Sequence, residues 1–264
     1  MIAATSVALL IGGLPHGALD LAMIHRTAHH RSLFVVSLYL GLSLLMFGAW
    51  QTAPSLALAV FLTIAMAHFA EDWSAADHPF FALAMSAAVI AAPALFHHQS
   101  VARLFVLLTG TEAAAVLADS LLLIAPVAAA CATVAIMLLW TGGRRLTAIN
   151  AGCALCAMTL LPPVIGFAIY FCLIHSPMHF RAGMARLAPA TGVARLTVVA
   201  TLGGLAIATV AFFFLPGAEP SSRIFAASFM TLSILTLPHM AVPLILSRLP
   251  TVAPRQRSAG NPRR

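Results

Sequence analysis

Five histidines lie inside stretches of the sequence that are otherwise apolar, and their spacing suits a metal site. His175 and His179 are four residues apart in "FCLIHSPMHF". Residues at this spacing lie on one face of a helix, about 5–6 Å apart at Cβ, so both imidazoles can reach one ion. The other three are His16, His68 and His239. A single histidine of this kind is more often a hydrogen-bonded core residue, whereas five together favour a metal site.

Two aspartates follow two of these histidines at the same four-residue spacing. Asp20 follows His16 in "PHGALD", and Asp72 follows His68 in "HFAED". A carboxylate often accepts the second N–H of a metal-binding imidazole and fixes the orientation of its ring. We therefore predict that each aspartate supports the histidine one turn before it, with direct binding of the metal as the less favoured alternative. Glu71 is predicted to play a similar supporting role, and the alternative is that it faces the membrane interface.

Pro177 lies between the two closely spaced histidines. Proline lacks a backbone N–H, and its ring crowds the carbonyl group four residues earlier, here that of Leu173. The sequence therefore predicts a bend that directs His179 toward the ion. The alternative is that the proline is merely tolerated and that the histidine pair hydrogen-bonds to other helices.

The composition predicts an all-α, polytopic transmembrane bundle that positions these side chains. The chain is 61% hydrophobic and 8% charged, with a mean hydropathy of +1.00. Its apolar runs have the length of a bilayer crossing and lack the alternation of barrel strands. We predict one transmembrane domain over residues 1–250 and a basic, disordered cytoplasmic tail over 251–264. The nine predicted spans are 2–24, 33–51, 55–73, 79–96, 120–140, 146–161, 163–180, 194–215 and 223–247.

The distribution of arginine predicts the orientation of the bundle. The chain has a net charge of +7 and contains no lysine. With the N-terminus outside and the C-terminus in the cytoplasm, only Arg103 and Arg223 remain on the outer side, as the positive-inside rule requires. Residues 97–119 are predicted to form an interfacial helix rather than a tenth span. The positive charge is therefore assigned to membrane orientation, and no nucleic-acid partner is expected.

The predicted topology places all five histidines on spans one, three, seven and nine, which run in the same direction. Most of them lie at a similar depth in the cytoplasmic half, which favours one shared metal site. Two other classes of protein also use intramembrane histidines, namely haem-binding electron-transfer proteins and proton or metal transporters. His175 and His179 lie on one helix face, so they cannot bind opposite faces of one haem. The polar groups form a single layer, whereas a transport path would need them at several depths.

The four cysteines lie in apolar runs and are predicted to be small core residues without a disulfide. "CALC", residues 153–156, lacks a second cysteine pair and is a weak metal or redox signal.

Four motifs, "GLPHGALD", "AHFAED", "HSPMH" and "LPHM", occur in this order and resemble the Brp/Blh family of membrane-bound bacterial and archaeal β-carotene 15,15′-dioxygenases. The resemblance covers about residues 12–243. It implies Fe(II) ligands at His16, His68, His175 and His179. His239 matches the fourth motif, for which the resemblance implies no definite role, and we assign it a supporting one. The implied reaction cleaves the central double bond of β-carotene, or a related carotenoid, with O₂ to give two all-trans-retinal molecules.

The resemblance also implies a membrane-dissolved substrate and a location in the inner membrane of a bacterial or archaeal cell, in contact with lipid. Imidazole also suits zinc, copper and nickel, so the residues alone do not select iron. Aromatic side chains near the motif histidines are predicted to line the substrate channel, with ordinary packing as the alternative. They are Phe61, Phe69, Trp73, Phe167, Tyr170, Phe171 and Phe180.

Overall fold

The structure, a computed structural model, describes residues 2–28, 31–74, 76, 78–187, 192–215 and 219–248. The predicted tail over 251–264 lies outside the described residues, as do His29 and His30. Twelve α-helices make up most of the described chain. They are α1 (Ile2–Gly17), α2 (Leu19–Ala28), α3 (Ser32–Thr52), α4 (Pro54–Phe69), α5 (Pro79–Ala91), α6 (Pro93–Thr109), α7 (Ala115–Thr141), α8 (Arg145–Leu160), α9 (Pro163–Ile169), α10 (Ser176–Leu187), α11 (Val193–Phe214) and α12 (Pro220–Arg248).

Seven helical segments of the described chain are long and apolar enough to cross a membrane. They are Ile2–Ala28, Ser32–Thr52, Pro54–Trp73, Glu112–Thr141, Pro163–Leu187, Val193–Phe214 and Pro220–Arg248. Helices α5 and α6 form a further candidate span that is bent by 48°, and α8 is a shorter apolar helix. The prediction of an all-α, multi-pass membrane bundle is confirmed, whereas the count of nine spans and the orientation stay predictions.

The region between α5 and α7 differs from the prediction. The predicted span 79–96 contains a helix break, because α5 ends at Ala91 and α6 begins at Pro93. Proline favours the first turn of a helix, where its missing N–H costs nothing. The segment predicted as one interfacial helix is also divided. Gly110 adopts φ 69° at the end of α6, a left-handed conformation that commonly ends helices.

Helix α1 packs against α9, α10, α11 and α12, and so brings the first motif beside the third and fourth. Two glycines allow the close approach. A Cβ atom at Gly13 would overlap the Phe171 ring, and one at Gly12 would lie 2.7 Å from Cys172 Sγ. The Ser176 hydroxyl donates a hydrogen bond to the Gly12 carbonyl at 2.5 Å. The third motif is therefore fixed against α1 by both packing and hydrogen bonding.

Helices α9 and α10 are joined by a π-helical turn over Tyr170–His175 into one segment, Pro163–Leu187. Single π turns of this kind often occur at functional sites. The turn ends two residues before Pro177, so the predicted distortion of the helix takes the form of this widened turn. His175 is the last residue of this turn, and His179 lies in the first turn of α10.

Candidate metal centre

The structure brings all five intramembrane histidines together around His68. The centroid of the His68 ring lies 4.7 Å from that of His175, 5.0 Å from that of His239 and 5.1 Å from that of His179. The His16 ring is 6.3 Å from His68 and 5.2 Å from His175. Four separate membrane helices thus contribute to one imidazole cluster.

The five rings differ in how deeply they are buried. His175 is fully buried, and His16 and His68 are nearly so. The side chains of His179 and His239 retain 21% and 15% of their exposure. The cluster is therefore closed around His175, and only His179 and His239 keep appreciable contact with accessible space.

Asp72 contacts two histidines, but not the one that the spacing predicts. Its carboxylate accepts hydrogen bonds from His175 Nδ1 at 2.9 Å and from His179 Nε2 at 2.8 Å. The Tyr170 hydroxyl donates to the same carboxylate at 2.5 Å. The predicted pair with His68 is not the one observed, because α4 ends before Asp72. The aspartate lies in the 3₁₀ turn Ala70–Trp73, where the four-residue spacing of an α-helix no longer applies.

Asp20 also pairs with a histidine of another helix. It accepts a hydrogen bond from His239 Nδ1 at 2.8 Å, and Tyr39 contacts the same carboxylate. The predicted pair with His16 is not observed, since α1 ends at Gly17 and α2 begins at Leu19. A helix break again separates the acid from the face of the histidine before it.

The roles of the two tyrosines were missed at the level of sequence. The chain contains only two tyrosines; Tyr39 was not singled out, and Tyr170 was predicted to line the channel. Each contacts one of the two buried carboxylates. A buried tyrosine hydroxyl needs a hydrogen-bond partner. Because phenylalanine is the usual aromatic residue of this chain, the two tyrosines in its apolar runs indicated buried polar partners.

Several ring nitrogens of the cluster are buried without a hydrogen-bond partner among the described residues. They are His16 Nδ1, both nitrogens of His68, and His175 Nε2. A buried polar atom left unpaired costs free energy, and ligation of a metal would satisfy these lone pairs. Two groups of side chains offer ligand atoms that lie within 4.8 Å of one another, His16 with His68 and His239, and Asp72 with His175 and His179. The donor set therefore fits a divalent transition-metal ion.

The predicted aromatic residues divide into three groups. Phe171 stacks on His175 with centroids 5.2 Å apart, and Phe69 meets the same ring edge-on at 4.8 Å. Trp73 stacks on Tyr170 on the Asp72 side. Phe180 instead packs in a separate apolar cluster around Leu19 and Leu187. Glu71 is exposed, and no hydrogen bond joins it to a histidine in the described part of the chain.

An apolar cavity of about 280 Å³ adjoins the cluster. It is bordered by His16, His68 and His239, and by the rings of Phe61, Phe69, Phe167 and Phe171. At its outer end lie Leu40 of α3 with Gly203 and Ile207 of α11, all three exposed. These residues lie well inside two helices long enough to cross the membrane. The cavity therefore has a mouth at the depth of the bilayer.

The fold and the site together define a multi-pass helical membrane protein with a buried cluster of imidazoles and carboxylates. The model of the family "Beta-carotene 15,15′-dioxygenase" matches residues 7–247. The chain belongs to this family, and it is therefore a carotenoid-cleaving dioxygenase.

A curated relative from the uncultured marine bacterium 66A03, named "Beta-carotene 15,15′-dioxygenase", is similar along most of its length. The two are 28% identical over 245 residues, which cover 86% of this chain and 87% of the relative. No solved structure matches the chain.

Proposed function

We propose that this protein cleaves the central 15,15′ double bond of β-carotene or a closely related carotenoid with O₂, in a reaction that depends on Fe(II). The products are two all-trans-retinal molecules, and each receives one oxygen atom of O₂ at its new carbonyl group. The observation that carries the proposal is the cluster of five imidazoles, three of them buried, beside an apolar cavity that opens toward lipid.

Uncharged imidazoles would hold the iron. His16, His68 and His175 offer buried nitrogens without a partner, and the family resemblance assigns a fourth place to His179. Fe(II), when bound, supplies the activation of O₂. Because neutral imidazoles leave the positive charge of the ion undiminished, the two nearby carboxylates balance that charge without having to bind the ion.

The cavity selects a substrate by its apolar surface. Its phenylalanine rings can neither donate nor accept a conventional hydrogen bond. A hydrocarbon polyene needs none and can pack against them at no cost, whereas a polar molecule would lose its hydrogen bonds with water on entry. A carotenoid dissolves in the bilayer, and the mouth between Leu40 and Ile207 opens there. We place the protein in the inner membrane of a bacterial or archaeal cell, with the C-terminus in the cytoplasm.

Phe69 and Phe171 keep the reacting region dry and ordered. Both rings are buried and lie against His175. They exclude water from the ring that Asp72 orients, and they continue into the cavity wall. A polyene in the cavity would thus lie beside the cluster with no polar solvent between them.

The two other classes of protein gain no support from the site. A haem needs imidazoles on opposite faces of the macrocycle, whereas the His175 and His179 rings are 4.5 Å apart on one helix face. A transport path would need polar groups at several depths, and the buried histidines and aspartates of the described chain gather at one place.

The experiment that tests the proposal uses cells that accumulate β-carotene and express the full chain. We expect the orange colour to fade and two retinals to form for each carotenoid consumed. The purified protein should contain iron, and His68→Ala should remove most of the iron and most of the turnover. Consumption of carotenoid with no retinal, or full iron content and turnover in His68→Ala, would contradict the proposal.

A further inference from the structure

We propose that a second apolar cavity, distinct from the one that adjoins the histidine cluster, receives one half of the carotenoid during cleavage. The substrate then lies across the cluster, with one half in each cavity and its central double bond beside the histidines. The inference rests on the proposed function, because it assumes cleavage at the centre of the substrate. It deepens that function by assigning a binding site to the inner half of the molecule.

Cleavage at the centre of a long, symmetrical polyene requires space for a half of equal length on each side of the cluster. The first cavity supplies one such space and has its mouth at Leu40, Gly203 and Ile207. Asp72 and Tyr170, both buried, close a further side of the cluster. The second half of the substrate must therefore leave the cluster in another direction.

The second cavity has a volume of about 100 Å³ and lies among helices α4, α5, α6, α8, α9 and α12. Among the residues that the structure describes, every side chain that borders it is apolar and none is exposed. An apolar space of this kind stays dry and accepts apolar molecules. Ile90 and Pro93 border it on the two sides of the break between α5 and α6. The 48° bend of this helix pair leaves room between α6 and α4.

The two cavities share one wall, which consists of three aromatic rings and one small side chain. Its members are Phe61, Ala65, Phe69 and Phe167. The three residues of α4 are spaced by four, so they lie on one face of that helix. Only this layer of side chains separates the cavity beside the cluster from the second cavity.

Phe69 places the shared wall directly beside the cluster. The centroid of its ring lies 6.0 Å from that of His68 and 4.8 Å from that of His175. A polyene that passes from one cavity to the other must therefore pass the histidines. Phe167 faces Phe69 across 6.2 Å between ring centroids. It is half-buried, whereas Phe69 is buried and packed on His175, so we assign Phe167 as the ring that turns aside.

Leu104→Trp tests the inference by filling the second cavity. Leu104 on α6 borders this cavity and not the first one, so the histidine cluster is left unaltered. Filling a cavity commonly stabilises a protein, and we expect an unfolding temperature no lower than that of wild type. We expect kcat/KM for β-carotene to fall by about tenfold or more, as for other lost apolar substrate contacts. The products should include aldehydes longer and shorter than retinal, because the substrate can no longer place its centre at the cluster.

Leu107→Trp is the matched control. Leu107 lies on the same helix, is exposed and borders neither cavity. This variant should cleave β-carotene to retinal at the wild-type rate. Leu104→Phe adds a smaller ring and should show an intermediate effect, and it carries the same comparison if the tryptophan variant fails to fold.

A substrate shortened at one end separates a blocked cavity from damage to the fold. In a carotenal with one complete half and one shortened half, the shortened half need not reach far into the second cavity. Leu104→Trp should therefore cleave this carotenal as fast as the wild-type protein does. A damaged fold would slow the cleavage of both substrates by the same factor.

The inference is overturned if Leu104→Trp matches Leu107→Trp in rate and gives retinal alone. That result is expected of a cavity that is only a packing void or that holds a lipid chain. Slowing of the full-length and the shortened substrates by the same factor would also overturn it. A wild-type protein that does not cleave β-carotene at its centre would instead reject the proposed function, and the inference with it.

Discussion

Asp20 and Asp72 each pair with an imidazole and a tyrosine from distant parts of the chain. The partners of Asp20, His239 and Tyr39, lie on two different helices, whereas the partners of Asp72 all lie on the one segment Pro163–Leu187. The Asp72 side chain is fully enclosed, and it pairs with His175, His179 and Tyr170. A hydrogen bond to a charged group contributes about 1.5–3 kcal/mol to stability, and an unpaired charge at this depth would be costly. These carboxylates therefore hold helices together and orient rings at the same time.

Replacing Asp72 with Asn tests the orienting role of the carboxylate. Asparagine keeps the size, but it removes the charge and turns an NH₂ group toward an imidazole N–H. We expect metal affinity to fall by about 10–100-fold, the usual effect of losing a partner of a metal-bound histidine. Titration of the purified variant with Co(II) measures this, and its unfolding temperature is recorded on the same sample.

Tyr170→Phe is the matched control for Asp72→Asn. It removes one hydrogen bond to the carboxylate and leaves the charge and the ring in place. We expect lower stability with metal affinity within about tenfold of wild type. If Asp72→Asn lowered only the unfolding temperature and left metal affinity intact, Asp72 would be a tether between helices and no more.

The set of intramembrane histidines could be predicted from the sequence because an imidazole in an apolar run is costly unless it has a partner. The partners themselves could not. His16 and Asp20 have the right spacing for one helix face, but a break after Gly17 separates them. The contacts of His239 and Tyr39 with Asp20 depend on how three distant segments approach. That information lies in the packing and not in local spacing.

At the scale of helices, close packing of α1 on the third motif sets the height and direction of the rings. The π turn Tyr170–His175 adds one residue to the helix and redirects the side chains that follow it. From the sequence, Pro177 predicted a distortion of the helix, but it could not predict whether this would be a widened turn or a sharp bend. The glycines of α1 indicated a close approach, and the structure identifies the partner as Phe171.

Gly13→Ala tests this packing. Its Cβ would overlap the Phe171 ring, which stacks on His175 and meets His16 edge-on. Overpacking of a core costs about 1–3 kcal/mol, so we expect a lower unfolding temperature and weaker metal binding. The double variant Gly13→Ala/Phe171→Leu should recover part of the stability, because the smaller side chain makes room.

Gly48→Ala is the control, since a Cβ atom there meets nothing within 4 Å. Alanine is favoured over glycine inside a helix by about 0.5–1 kcal/mol, so this variant should be as stable as wild type or slightly more stable. If Gly13→Ala proved as stable as Gly48→Ala, the contact between α1 and Phe171 would not constrain the site.

At the scale of the whole molecule, the bundle encloses the histidine cluster on one side and leaves it beside an apolar cavity on the other. One side is closed by Asp72, Tyr170 and Trp73, and the other borders the cavity that opens between α3 and α11. The sequence predicted the apolar bundle and several of the aromatic rings of the wall. It did not predict the mouth, because Leu40, Gly203 and Ile207 are ordinary residues of membrane helices until tertiary packing places them at one opening.

Gly203→Trp tests whether the carotenoid enters through this mouth. Gly203 is exposed, and a Cβ atom there meets nothing within 4 Å, so an indole ring can be added without disturbing the fold. It would occupy the mouth between Leu40 and Ile207. We expect kcat/KM for carotenoid cleavage in membranes to fall by about tenfold or more, equivalent to about 1.4 kcal/mol of barrier for each tenfold. Metal affinity and unfolding temperature should stay unchanged, because no residue of the cluster is altered.

Gly152→Trp on α8 is the control, since it also has open space around its Cβ but lies away from the cavity. This variant should cleave the carotenoid at the wild-type rate. Equal rates in both tryptophan variants would mean that the substrate reaches the cluster by another route.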